Sequence, residues 1–207
     1  MKKANKHIIA ILGIVLGGLA FAGGAKANES YQTGAEVQFT FAPEMSVALK
    51  DATCTNSLTD AAFEIDSLSP GNSGDSDAIC ISVSTNSASG YQILGSVGTS
   101  SNATTALEHS NGSSSLSSVA TSYNSSTLTA GTWGYTTSTN NGTSYGNYSG
   151  LPAYTAVDAG KAIRTNDSGV VGTENTLMKI GAYATTGQVA GDYTNTINLY
   201  IVPYSAS

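Results

Sequence analysis

The chain reads as an all-β protein, a two-sheet antiparallel sandwich behind a removable export signal. Three observations predict this. Apolar residues recur at every second position in short runs, such as Val37-Phe39-Phe41, Ile79-Ile81-Val83 and Ile197-Leu199-Ile201. That alternation is the signature of a strand with one buried face. Clusters of Gly, Asn, Ser and Asp separate the runs and supply turn chemistry. Beyond residue 27 no stretch carries an apolar stripe at the helical period.

The first 27 residues set the compartment. Lys2, Lys3 and Lys6 precede an uncharged apolar run from Ile8 to Ala22, and Ala25-Lys26-Ala27 follows with small residues around a cleavable bond. This is the pattern of a signal peptide. The run is shorter than the about 20 residues of a spanning helix, and Gly13, Gly17 and Gly18 interrupt it. The expected organisation is therefore a signal peptide over 1–27, a flexible segment over 28–36 and one sandwich domain over 37–207. The expected location is secreted, extracellular or on the cell surface. No second apolar stretch follows, so no stable membrane span is expected after cleavage.

Charge narrows the partners. Only Lys50, Lys161, Arg164 and Lys179 remain basic after residue 27, against all 14 acidic residues. Such a chain does not neutralise phosphates, which argues against nucleic acid. The acidity suits solubility. Its two cysteines, Cys54 and Cys80, form an isolated pair in an exported chain and are read as a disulfide. They lack C-x-x-C spacing and accompanying histidines, so no metal or redox role is assigned.

Along the chain, Val37, Phe39 and Phe41 form a first strand, and Pro43 marks a bend before Met45, Val47 and Leu49. Phe63 and Ile65 form a short strand. Ile79–Val83 and Tyr91–Val97, joined across Ser89-Gly90, read as a hairpin. Residues 98–128 are polar, and long loops are expected there, with at most a short helix or edge strand. Thr132–Thr136 is the next strand. Met178–Ala184 and Ile197–Ile201 read as a final hairpin. Gly191-Asp192-Tyr193 is similar to the tyrosine corner of immunoglobulin-type sandwiches, which implies a phenol bonded to nearby backbone.

Little here carries catalysis. His109, the only histidine after residue 27, sits in a polar stretch and is expected to be an exposed loop residue. Gly142-Thr143-Ser144-Tyr145-Gly146 matches G-x-S-x-G, but no helical pattern follows it and the histidine precedes the serine. Asp75-Ser76-Asp77, near Asn72 and Gly74, has calcium-ligating types but no complete loop, and reads as an Asx-rich turn. No enzyme activity, metal or cofactor is expected. Trp133 is assigned to the core. Tyr145, Tyr148 and Tyr154 are candidate ligand-binding rings, since aromatic loops bind sugars and proteins at low entropy cost. Val37, Phe39 and Phe41 are candidates for a donor or edge strand that pairs with a neighbour.

Several motifs occur in order: Val37-Gln38-Phe39-Thr40-Phe41, Ser84-Thr85-Asn86 with Gly90-Tyr91, Thr132-Trp133-Gly134-Tyr135, Ser149-Gly150-Leu151-Pro152 and Ala190–Ile197. Together they resemble small exported surface proteins of Saccharibacteria-type (candidate phyla radiation) bacteria. The segment Ala190–Tyr200 also resembles the last strand of spore-coat-U and chaperone–usher pilin domains. These resemblances imply an Ig-like or pilin-like sandwich at the cell surface, with no catalytic residues to carry over. The expected function is a structural or adhesive protein, such as a coat or fibre subunit, whose partners are itself or other envelope proteins. The alternative is a monomeric module that binds glycans or a host protein through its aromatic loop.

Overall fold

The computed structural model describes residues 44–59, 61–139, 142–156, 159–169 and 172–204. The expected signal peptide over 1–27, the segment 28–36 and the candidate strand of Val37, Phe39 and Phe41 lie outside these residues. The described residues form β1 (Met45–Lys50), β2 (Ser73–Asp75), β3 (Ile79–Thr85), β4 (Tyr91–Val97), β5 (Leu107–His109), β6 (Ser115–Ser118), β7 (Thr132–Ser138), β8 (Lys161–Asn166), β9 (Gly172–Tyr183), β10 (Tyr193–Thr194) and β11 (Ile197–Pro203). None of these elements is a helix, and among the described residues no helix is long and apolar enough to cross a membrane.

The strands build two sheets. The larger runs β1-β3-β9-β7-β6-β5-β10, with β2 also paired to β9, and the smaller runs β11-β4-β8. The long strand β9 organises the larger sheet. One of its edges takes β3 along Gly172–Met178 and β2 along Gly181–Tyr183, and its other edge takes β7. The named pairings are antiparallel apart from β6 with β7, where Ser117 faces Thr132 and Ser118 faces Trp133 in parallel. That short parallel contact departs from the antiparallel expectation. The chain between β6 and β7 crosses the sheet's outer face, where Val119 and Leu128 pack against Gly134.

The core lies between the sheets. Ile81, Val83, Trp133, Tyr135, Met178, Ile180 and Ala182 of the larger sheet meet Tyr91, Ile93 and Val97 of the smaller. Trp133 is fully buried, as its place among strand residues predicts, and its Nε1–H donates to the Thr105 carbonyl at 2.9 Å. A second cluster of Ala78, Cys80 and Leu177 lies beside Cys54 and Tyr145.

Three strand expectations are corrected. Strands β3 and β4 are not a hairpin, because they belong to different sheets. Both edges of β3 are already occupied by β1 and β9, so the turn at Ser87–Gly90 carries the chain across the core instead. Gly90 has φ +82°, and a Cβ there would stand 2.0 Å from the Asn166 carbonyl oxygen. Similarly, β9 and β11 lie in opposite sheets and form no final hairpin. Phe63 and Ile65 do pack on the core, alternating with the exposed Glu64, but without a ladder partner among the described residues.

Candidate functional site

The disulfide forms as expected between Cys54 and Cys80, with Cα atoms 5.4 Å apart. Cys80 is fixed in β3. Cys54 sits at the tip of a narrow loop whose base is the Lys50–Ser57 bridge. Asp51 shapes that loop. Its carboxylate accepts from Asn56 Nδ2 at 2.6 Å, Thr53 Oγ1 at 2.8 Å and the Thr55 amide at 3.0 Å. These donors hold the Asp51 carboxyl well below the usual carboxylate range, the Asn56 side chain most of all. The tight turn puts Cys54 at φ +60°, an unusual conformation for a residue other than glycine.

The three candidate tyrosines are held in different ways. Tyr145 is half-buried against the disulfide-side cluster, and the Lys179 ammonium stands 4.4 Å from its ring centroid. Tyr148 lies over Gly181, where a Cβ would be 2.4 Å from its Cε1, and its hydroxyl donates to Asp75 Oδ1. Burial first, and the Asp75 carboxylate second, push the Tyr148 phenol well above its ordinary value. Asp75 itself lies in strand β2 opposite Gly181, not in an Asx turn. The backbone of Tyr154 is fixed to the smaller sheet, its amide donating to the Val97 carbonyl at the end of β4 at 2.8 Å. The rings of Tyr145 and Tyr148 therefore fasten the loop after β7 to the larger sheet. Backbone bonds do the same, with Gly146 N–H donating to Thr137 and Ser149 N–H to Tyr135, each at 2.9 Å.

The expectation of an exposed His109 is corrected. The residue is only 7% exposed. Its Nδ1 accepts from the Asn111 amide at 3.0 Å, so Nε2 carries the hydrogen and donates to the Ala190 carbonyl at 3.0 Å. Its ring meets Tyr193 edge-on at 4.9 Å. The Tyr193 hydroxyl donates to the Val189 carbonyl at 2.8 Å, the backbone bond expected of a tyrosine corner. Both imidazole nitrogens are thus committed to backbone, and none is left for a nucleophile. The G-x-S-x-G match lies in the loop after β7, and among the described residues no helix follows it as a nucleophile elbow requires. Among the described residues no three His, Cys, Asp or Glu side chains converge as a metal site requires.

Two polar clusters were not anticipated. The Lys161 ammonium, on β8, donates to Ser149 Oγ and the Thr121 carbonyl, and lies 5.6 Å from the Tyr135 ring centroid. Burial lowers its pKa. In the second cluster, Glu174 Oε2 accepts from Tyr91 at 2.9 Å and Asn166 at 2.7 Å, tying β9 of one sheet to β4 and β8 of the other. Burial, then the Glu174 bond, push the Tyr91 phenol up to about 12. No local pattern marks these groups in the sequence, because the partners are brought together only by the sheet order. The Asp51–Asn56 loop, rich in Asp, Thr and Asn, did carry a readable turn signal.

Comparison with protein-family models, curated proteins and solved structures finds no match to this chain.

Proposed function

We propose that this is an exported, non-catalytic structural or adhesive protein of the cell surface, serving as a coat or fibre subunit with an Ig-like or pilin-like sandwich. One observation carries the reading: several of the reactive side chains among the described residues are used as fasteners. The cysteines are joined, His109 is bonded through both nitrogens to backbone, and Asp75 and Lys161 tie loops to strands. A scaffold that commits these groups to rigidity suits a protein that withstands an exterior environment. The signal-like N-terminus, the acidic balance and the resemblance to exported surface proteins support the same compartment.

Antibody labelling of intact cells, alongside a panel of glycosides, esters and peptides offered to the purified protein, tests this reading. Surface label without turnover is the expected result. Turnover of any substrate, or a protein confined to the cell interior, overturns it. The glycan- or host-binding alternative has weaker support, since two of its three rings are engaged with the larger sheet.

A further inference from the structure

Seven Asn-x-Ser/Thr triplets begin at Asn28, Asn102, Asn111, Asn124, Asn141, Asn147 and Asn166. In an exported chain such a triplet is an acceptor for N-linked sugar. A composition rich in Asn, Ser and Thr also produces triplets by chance, so the fold must decide which can serve. Asn28 and Asn141 lie outside the described residues. Three of the other five have their side-chain nitrogen engaged. Nδ2 of Asn102 donates to Glu108 Oε2 at 3.1 Å, that of Asn147 to Asn124 Oδ1 at 2.8 Å, and that of Asn166 to Glu174 Oε2 at 2.7 Å. Asn124 is held as the acceptor in the second of these pairs.

Asn111 differs. It stands at the tip of the β5–β6 hairpin, exposed, beside the exposed Gly112 and Ser113. Gly112 has φ +70°, and a Cβ there would meet nothing within 4 Å. The turn is fixed from within: Gly112 N–H donates to the His109 carbonyl at 2.8 Å, and Asn111 N–H to His109 Nδ1 at 3.0 Å. The third residue of the triplet bonds back to the first. The Ser113 amide and hydroxyl both donate to Asn111 Oδ1, at 2.9 and 2.7 Å. A backbone N–H can only donate, so it fixes which end of the carboxamide is oxygen. Nδ2 is left without an acceptor among the described residues.

We propose that Asn111 is the residue to which an oligosaccharyltransferase attaches a sugar chain, taken from a polyprenyl-diphosphate-linked oligosaccharide. The inference rests on the exported, cell-surface reading, because acceptor and donor must meet outside the cytoplasm. In the transfer, Asn111 Nδ2 forms a bond to the anomeric carbon of the first sugar. The bond from that carbon to the diphosphate oxygen breaks, and the polyprenyl diphosphate leaves with the electron pair. One Nδ2 proton passes to a carboxylate of the transferase. A carboxamide nitrogen is a poor nucleophile, since its lone pair is shared with the carbonyl. The two donors on Oδ1 favour the negative charge that gathers there as Nδ2 loses its proton. Ser113 is thus a positioning residue: it orients the carboxamide, leaves the nitrogen open and eases its deprotonation. Asn102 and Asn166 lack this arrangement, and their nitrogens must first leave a carboxylate.

The test has two arms. In the first, the protein is recovered from the cells that make it, and its intact mass and glycopeptides are measured. The mass should exceed that of the polypeptide by whole sugars, carried on the peptide that contains Asn111. In the second, the full-length gene product from an exporting host without the transferase is offered, folded, to a purified oligosaccharyltransferase with a polyprenyl-diphosphate oligosaccharide. The enzyme chosen is one that modifies several triplets in a peptide digest of the same protein. On the folded chain, Asn111 should be modified at least about tenfold faster than Asn102 or Asn166, the ratio expected for one hydrogen bond that must be broken. Ser113→Ala should abolish sugar at Asn111, Ser113→Thr should restore it, and thermal melts of both should stay with the wild type. Sugar spread evenly over the triplets of the folded chain, or Asn111 left bare, overturns the proposal. So does a protein labelled on the cell surface whose mass is that of the polypeptide alone, and the surface reading then stands. A bare protein confined to the cell interior removes both.

Discussion

The imidazole of His109 occupies the space that a side chain at position 191 would need. A Cβ built on Gly191 would lie 2.2 Å from His109 Nε2, and the backbone there has φ +142°. The loop after β9 and the loop after β5 can therefore approach only because position 191 is glycine and position 109 carries a ring that bonds the Ala190 carbonyl.

This pairing predicts a coupled mutant series. Gly191→Ala should destabilise the fold by about 2–4 kcal/mol, combining a backbone conformation rare for L-residues with a steric clash. In a domain of this size that corresponds to a fall in Tm of roughly 4–16 °C. His109→Ala removes the obstacle, so Gly191→Ala should cost less in that background. Thermal melts of the two single variants and the double variant give the coupling directly. Strict additivity would show that the ring and the glycine act independently.

The disulfide should contribute about 3–4 kcal/mol, from the chain entropy of the loop between residues separated by 26 positions. When reductant is added, the urea midpoint of the wild type should fall by that free energy divided by the m-value. Cys54→Ser with Cys80→Ser should match the reduced protein. Reductant should then leave the double variant's midpoint unchanged. Equal midpoints for the oxidised wild type and the double variant would show that the Asp51-centred hydrogen bonds hold this loop by themselves.

Stability should fail on the alkaline side through the buried phenols. Tyr91 is raised from its ordinary value near 10 to about 12, so the folded protein keeps this proton to a higher pH than the unfolded chain does. The stabilisation it brings is complete below about pH 10 and is lost as pH rises through about 12. Tyr148 is shifted in the same direction. Lys161 is lowered by burial and opposes them: the folded state releases its proton first, so rising pH relieves its cost. Urea midpoints measured at stepped pH should therefore hold to about 10 and then drop. Tyr91→Phe should flatten the drop between about 10 and 12, and an unchanged slope in that variant would remove Tyr91 as the cause.

How much of this was legible in the sequence depends on the kind of signal. Alternation gave the strands at Met45–Leu49, Thr132–Thr136 and Ile197–Ile201, because each turns one face to the core. Alternation names a face and not a partner, so the sheet to which β4 and β11 belong was hidden, and two crossings between sheets were read as hairpins. Phe63 and Ile65 show the same limit: their pattern is that of a strand, yet they pack without a ladder partner. The buried state of His109 was invisible because its neighbours in sequence are polar. The residues that enclose it, Ala190, Gly191 and Tyr193, arrive from the far end of the chain. The cysteine pair was legible since it needed only the count and the expected compartment.

Tyr148 separates a fastening role from a binding role. Its ring lies on Gly181 and its hydroxyl donates to Asp75, joining the loop after β7 to β9 and β2. Tyr148→Phe keeps the ring and removes a hydrogen bond to a charged group, which should cost about 1.5–3 kcal/mol at most, less where water reaches the carboxylate. Tyr148→Ala also removes packing from a half-buried ring and should cost more, about 2–4 kcal/mol. Both variants should melt below wild type, in the order wild type, phenylalanine, alanine. Gly181→Val should reproduce the alanine effect from the other side of the contact, because its side chain would displace the ring. A ligand-binding ring behaves differently: its removal abolishes adhesion to cells or glycans and leaves Tm where it was. Melting all three variants beside a cell-adhesion assay distinguishes the two, and an unchanged Tm with lost adhesion would return Tyr148 to a binding surface.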